Sequence, residues 1–366
     1  MTPRPSAARR LLLAMPKAEL HLHLDGCLRP VTAIELAMER GIAAPRTFME
    51  MFDALVASPS TGSQAELLRY FELPIALMQD VEALTRITTE LVEDKAADRV
   101  AYMEIKWAPA LHLELGLSLD EVVNAVASAA AEAAHRAGVV VTLTVVALRS
   151  DTPHLNVRVA ESAVRHRSVG VTGFDLAGAE EEFPDPVLHA AAFEVARAGG
   201  LGLTVHVGEL ADSCALVRRA LELSPQRIAH GATVASDPGL MDELATRGIT
   251  LDLCPTSNVQ AGTVSSIAAH PLALLLRRGV RVTINTDDTT ISDITLSEEL
   301  HSCHVELGLT LSEIWRCNLN AVEAAFVDAD TRAALHASFR RWGEHIPELH
   351  APELSPARSM GLPVRQ

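Results

Sequence analysis

With 366 residues the chain has room for one large domain or two ordinary ones, and 48% apolar residues can fill a sizeable core. Only 4% of the residues are aromatic, so that core is built from Leu, Val, Ile and Ala. A formal charge of -16 disfavours nucleic-acid backbones and anionic membrane surfaces as partners, but not a small neutral ligand.

Residues 1–15 read as an N-terminal extension, and the apolar stretch 11–15 is too short for a secretory signal. No later run approaches the ~20 apolar residues of a membrane span. The most apolar region, 122–148, is interrupted by Glu132, His135 and Arg136. Cys27, Cys214, Cys254, Cys303 and Cys317 are odd in number and include no C-x-x-C pair, which fits reduced thiols and a cytoplasmic protein.

From residue 16 onward a short apolar run recurs, each followed by a helical pattern. The runs are 19–25, 100–107, 139–148, 171–176, 201–207, 227–230, 249–254 and 280–286. They are short and β-branched, as buried parallel strands are. Several follow a helix-ending glycine, such as Gly138, Gly170 or Gly248. Amphipathic stretches rich in Ala and Leu, such as 119–136 and 184–198, lie between them. Eight such alternations predict an α/β fold, a (β/α)8 TIM-type barrel over residues 16–347. No G-x-G-x-x-G follows any strand, which argues against an open doubly wound sheet. Residues 30–98 break the alternation: they read as a helical insertion between the first and second strands, either a lid over the C-terminal mouth or a plain surface addition. Residues 348–366, with three prolines, read as a loosely ordered tail. No oligomeric state is legible.

Chemistry-bearing residues gather at the strand ends. His21 and His23 stand two apart in the first strand, so both imidazoles face one side. His206 ends the fifth strand and is followed by Gly208 and Glu209; His230 ends the sixth and is followed by Gly231. Asp287 and Asp288 end the last, and strand alternation gives the two carboxylates opposite faces and different tasks. Singly, each is as ordinary as any packed histidine or aspartate. Together, three histidine positions and an aspartate at the C-terminal ends of one barrel point to a metal. Nitrogen and oxygen donors without thiolate suit zinc. There is no H-E-x-x-H, no P-C-x-x-C, and no lysine in 171–178 to bridge two ions, so one metal is expected. Lys106 reads as an ion-pair partner inside the barrel. Glu298 and Glu299 read as a solvated helix start, and His301 and His304 as an exposed pair.

The string Pro16-Lys17-Ala18-Glu19-Leu20-His21-Leu22-His23-Leu24-Asp25-Gly26 closely resembles the opening motif of adenosine deaminases. So do Gly173-Phe174-Asp175-Leu176-Ala177-Gly178, Thr204-Val205-His206-Val207-Gly208-Glu209, Ile228-Ala229-His230-Gly231, Cys254-Pro255-Thr256-Ser257-Asn258 and Thr286-Asp287-Asp288. Six motifs in the family's order cover roughly residues 15 to 345. The resemblance implies one zinc per chain, held by His21, His23, His206 and Asp287, with a place left for water. Zinc lowers the pKa of such a water towards ~7, and hydroxide attacks C6 of a purine. Glu209 would be the proton donor to N1, and burial against the purine would raise its pKa. His230 would orient the water. His23, Asp25, Gly178 and Asp288 would meet the substrate: Asp25 at the ribose 5'-hydroxyl, Gly178 at N3 through its backbone, and Asp288 at N7.

The expected reaction is hydrolysis of adenosine or 2'-deoxyadenosine to inosine or 2'-deoxyinosine and ammonia. Departures from the family pattern at Cys27, Val207, Thr289-Thr290 and Glu180-Glu181-Glu182 line or adjoin the pocket. They leave room for a modified adenosine or free adenine as the substrate. In this superfamily adenine-specific enzymes tend to carry Glu where this chain has Asp25, which favours a nucleoside. A catalytically silent nucleoside-binding protein would require a lost motif residue, and none is lost.

Overall fold

The computed structural model describes residues 5–59 and 61–351. Eight parallel strands form one sheet in sequence order: β1 (Lys17–His23), β2 (Val100–Trp107), β3 (Val140–Leu148), β4 (Val171–Ala177), β5 (Gly202–Val207), β6 (Arg227–His230), β7 (Thr250–Leu253) and β8 (Arg281–Ile284). The sheet closes just past β8, where Leu22 bridges to Asp287. Asp287 accepts from the His23 amide at 2.7 Å and donates to the His21 carbonyl at 3.1 Å. This is the (β/α)8 barrel that the alternation predicts. Near-continuous burial along the strands explains why they read as apolar runs.

The main core cluster runs from Leu12 to Leu349, largely aliphatic as the composition requires. The barrel interior also holds charge, but in closed sets. Arg227 pairs with Glu104 and with Asp252 at 2.9 Å, all three buried. Buried charges of this kind are tolerated only with partners. Lys106 is the ion-pair partner expected of it: its ammonium lies 2.7 Å from Asp175, both fully buried.

Ahead of β1 lies α1 (Ala7–Ala14), which packs on the helix Leu296–Val305. Between β1 and β2 come α2 (Pro30–Arg40), α3 (Phe48–Leu55), α4 (Gln64–Leu68), α5 (Glu72–Leu77) and α6 (Val81–Ala97). The last of these packs along α7 (Leu119–Ala137) in the outer helical layer. The remaining helices follow in order: α8 (Pro153–Arg165), α9 (Ala190–Ala198), α10 (Cys214–Ala220), α11 (Pro238–Arg247), α12 (Pro255–Gln260), α13 (Leu272–Arg277), α14 (Leu296–Val305), α15 (Leu311–Ala324) and α16 (Ala329–Gly343). The segment around α4 is tied to the barrel mouth by its backbone. Ala57 donates to the Ile291 carbonyl at 2.8 Å, and Gly62 to that of Gln260 at 2.9 Å. Most of the expected tail, from residue 352, lies outside the described residues. Among those described, no helix is long and apolar enough to cross a membrane.

Candidate active site

The C-terminal ends of β1, β5 and β6 and the turn after β8 bring four histidines and an aspartate to one point. His21 and His23 share a face, as i and i+2 of a strand must, with their Nε2 atoms 3.2 Å apart. His206, at the end of β5, brings its Nε2 to 3.0 Å from that of His23. Asp287 places Oδ1 3.0 Å from His21 Nε2 and 3.5 Å from His23 Nε2. Ligand atoms of His21, His206, His230 and Asp287 also all fall within 4.8 Å of one another. His230 is the less suited fourth imidazole. Its Nε2 is engaged by Glu209 at 2.7 Å and stands 3.6 Å from Asp287.

The donor set fits a divalent cation. His206 Nδ1 faces the Asp175 carboxylate at 3.0 Å, so its proton sits there and Nε2 presents a lone pair. Burial drives His23 down to about 3 despite Asp287. Burial and the Lys106 ammonium take His21 well below the imidazole range. Burial raises Asp287, but His21 and His230 outweigh it and hold the carboxyl well below its usual range. Three imidazoles and one carboxylate, with gaps of 3.0–3.5 Å between several of them, match neighbouring ligands of one ion with bonds of ~2.0–2.2 Å.

Among the described residues, two of the six non-glycine residues at positive φ are His230 (+66°) and Asp287 (+64°). Such left-handed backbone is uncommon off glycine and concentrates at functional sites. It also corrects the expectation for the aspartate pair. Asp287 and Asp288 lie beyond the last strand, and the left-handed turn at Asp287 abolishes alternation. Both carboxylates therefore line the same cavity. Gly26 makes room for the second: a β-carbon there would lie 1.7 Å from Asp288 Oδ1.

That cavity, about 60 Å³, is lined by His23, Ala177, Gly178, His206, Glu209, Asp287 and Asp288, and roofed by Gln64, Leu67, Leu68 and Phe71 of α4 and the turn after it. Asp25 follows β1 in a short 3-10 turn and is buried, with one carboxylate oxygen unpartnered. Burial, with Asp287 adding, raises it to about 7. Asp288 also has an unpartnered oxygen, and burial with Asp287, Asp25 and Glu209 raises it well above the carboxylate range. Glu209 differs from expectation. Burial does raise it, but the His230 charge and hydrogen bond, with His206, pull it below its usual value.

Several supporting residues were not singled out by sequence reasoning. Asp175 and Asn258 sit inside the quoted motifs, but only structure shows their tasks: Asp175 orients His206, and Asn258 bridges His230 Nδ1 (3.1 Å) to His270 (3.0 Å). Ser257 donates to Asp287 at 2.7 Å. Lys95 and Glu19 together hold Thr286, just before Asp287. Glu299 is no solvated helix start. It is fully buried and accepts from the Thr256 amide at 2.8 Å and from its hydroxyl, anchoring α12 beside the site. His301 and His304 are half-buried, and His304 is bonded to the Leu309 carbonyl at 2.7 Å.

The family model described as adenosine deaminase matches residues 16–342. The chain belongs to the adenosine deaminase family. It is 37% identical over 336 residues to an adenosine deaminase of Mycobacterium sp. (strain JLS), covering 87% of this chain and 92% of that one. Among solved structures it is similar to an amidohydrolase from Burkholderia ambifaria with bound zinc (TM-score 0.86, 27% identity, 96% and 97% covered). It is also similar to an adenine deaminase from Arthrobacter aurescens (0.83, 26%, 90% and 99%) and to an N6-mAMP deaminase from Arabidopsis (0.81, 27%, 91% and 99%). The protein is thus a hydrolase of C–N bonds in cyclic amidines, with a histidine–aspartate site able to hold a metal.

Proposed function

We propose that the protein hydrolyses adenosine or 2'-deoxyadenosine to the inosine product and ammonia, with one zinc held by His21, His23, His206 and Asp287. The observation that carries this is the convergence of those four groups beside the Glu209–His230 pair, under a cavity that also holds Asp288. Bound zinc supplies Lewis acidity, lowering the pKa of a water towards ~7.

The chain's own residues supply the rest. His230, fixed behind by Asn258, orients the attacking water. The His230 pairing keeps Glu209 ionised in the free site, so the proton Glu209 passes to N1 comes from that water: hydroxide adds to C6 and the proton to N1, the proton of the new C6 hydroxyl then passes to the amino group, and the C6–N bond breaks to give ammonia and the C6 carbonyl. N7 can only accept a hydrogen bond. Asp288, pushed towards its protonated form, is suited to donate one. The Gly178 backbone meets N3. Asp25, with a spare buried oxygen, takes the 5'-hydroxyl.

Among the described residues that line the cavity there is no lysine or arginine, which favours a nucleoside over a nucleotide. The cavity is smaller than the ~300–1,000 Å³ usual for ligand sites, so we further propose that α4 and its neighbours within the 30–98 segment move as a lid. A panel of adenosine, 2'-deoxyadenosine, adenine, an N6-substituted adenosine and AMP, scored for release of ammonia or the displaced amine, tests the assignment. The highest kcat/KM is expected for one of the first two. Preference for adenine, the N6-substituted nucleoside or AMP would overturn it.

A further inference from the structure

Gln64 is the first residue of α4 and is 6% exposed. It is the polar member of a roof otherwise made of Leu67, Leu68 and Phe71. Its side chain is spent at both ends on the protein. Oε1 accepts the backbone N–H of Glu180 at 2.9 Å, and Nε2 donates to Glu209 Oε2. The amide cannot be reversed. Glu180 N–H needs an acceptor, and a turned amide would set oxygen against carboxylate.

Glu180 is itself buried, and its carboxylate accepts from the amides of Gly208 (3.1 Å) and Glu209 (2.9 Å). Thr263 donates to the Glu209 carbonyl. Gly208 lies at φ +83°, and a β-carbon there would come within 2.8 Å of Gly231 Cα. The turn carrying Glu209 is therefore fixed in its backbone by groups from three other segments. Its carboxylate has two anchors: His230 on Oε1 and Gln64 on Oε2. One anchor leaves the carboxylate plane free to swing about the held oxygen, and a second stops it.

We propose that Gln64 is a positioning residue for Glu209: the helical segment over the mouth supplies the contact that sets the carboxylate of the proton donor. Closing the mouth and aligning Glu209 are then one event. The assignment rests on the reading of Glu209 as the donor to N1. It differs from a substrate-reading role, because a ligand could engage Gln64 only by breaking bonds it already makes, one of them charge-assisted.

The test uses full-length, zinc-loaded protein. Gln64→Met keeps the length and helix propensity of the side chain but removes both polar ends. With adenosine, kcat should fall by about 10- to 100-fold, the scale of a catalytic group left free to misalign, while KM, zinc content and Tm stay near wild type. Glu180→Gln, which turns one acceptor into a donor facing backbone amides, should also lower kcat. In a Glu209→Gln background, adding Gln64→Met should slow the residual rate no further. A raised KM with unchanged kcat, or the same fold-loss in the Glu209→Gln background, would overturn the inference. If Glu209→Gln alone keeps wild-type kcat, the donor reading fails and this inference with it. Wild-type kcat in Gln64→Met beside a slow Glu209→Gln overturns the inference alone.

Discussion

His230 Nε2 lies 2.7 Å from Glu209 Oε1, and the two residues reach that contact from different strands through unusual backbone: His230 at φ +66° and the Gly208 turn before Glu209 at +83°. His230 is buried and Glu209 is half-buried in the cavity lining. The pair adjoins His21, His23, His206 and Asp287, the four groups proposed to hold the metal. In the proposed reading proton transfer and metal holding fall to different residues, and the two can be tested apart.

Glu209→Gln keeps the size of the side chain and removes its proton chemistry. It should retain zinc and bind a ground-state analogue nearly as before, while kcat falls by ~10²–10⁴. Zinc content and kcat measured on one preparation decide the matter. Rate restored by excess zinc would show instead that Glu209 serves the metal.

Asp25→Ala should weaken kcat/KM for adenosine by the equivalent of roughly 1.5–3 kcal/mol, the worth of a hydrogen bond to a charged group. Activity on free adenine, which has no ribose, should change little. An unaltered ratio between nucleoside and base would remove Asp25 from the sugar.

Asp175 fixes the His206 tautomer and also pairs with Lys106. Asp175→Asn should loosen zinc by about 10- to 100-fold, as loss of a carboxylate behind a metal-bound histidine does. Stability should drop as well, because Lys106 is left buried without its counter-charge. Zinc affinity read by competition with a chelator, at a temperature where the variant is folded, isolates the first effect.

His112 is fully buried, and burial lowers it to about 4, against a weaker opposing pull from the Met78 carbonyl. The unfolded chain takes up a proton near pH 6.5, whereas the folded one does so only near 4. Stability is therefore lost as pH falls through that window, by about 2 kcal/mol at pH 5 from this residue. Urea unfolding of wild type and His112→Leu at pH 7 and pH 5 should show a smaller pH effect in the variant. An equal pH effect in both would remove His112 as a cause.

Much of this was legible in the sequence because the strands are buried on both faces and so read as apolar runs. The candidate site residues stood out because strand ends punctuated by glycine, as at His206 and His230, carry their own signal. What was not legible depends on contacts between distant segments. Glu299 looks like an ordinary acidic first-turn residue until Thr256 is placed against it. Asp288 turns into the cavity only because Asp287 takes a left-handed conformation, which no local pattern announces. Gln64 lies in a segment whose helical pattern does not say where it will rest, and its partners are 116 and 145 positions away. Helical periodicity also runs on through α6, and only its packing on α7 shows that it belongs to the barrel's outer layer.

The most direct test of a one-zinc deaminase is to strip the protein with a chelator, return zinc in fractions of an equivalent, and follow ammonia release from adenosine. Activity should climb linearly and break sharply at one equivalent per chain. A break at two equivalents, or full activity in the stripped protein, would contradict the account.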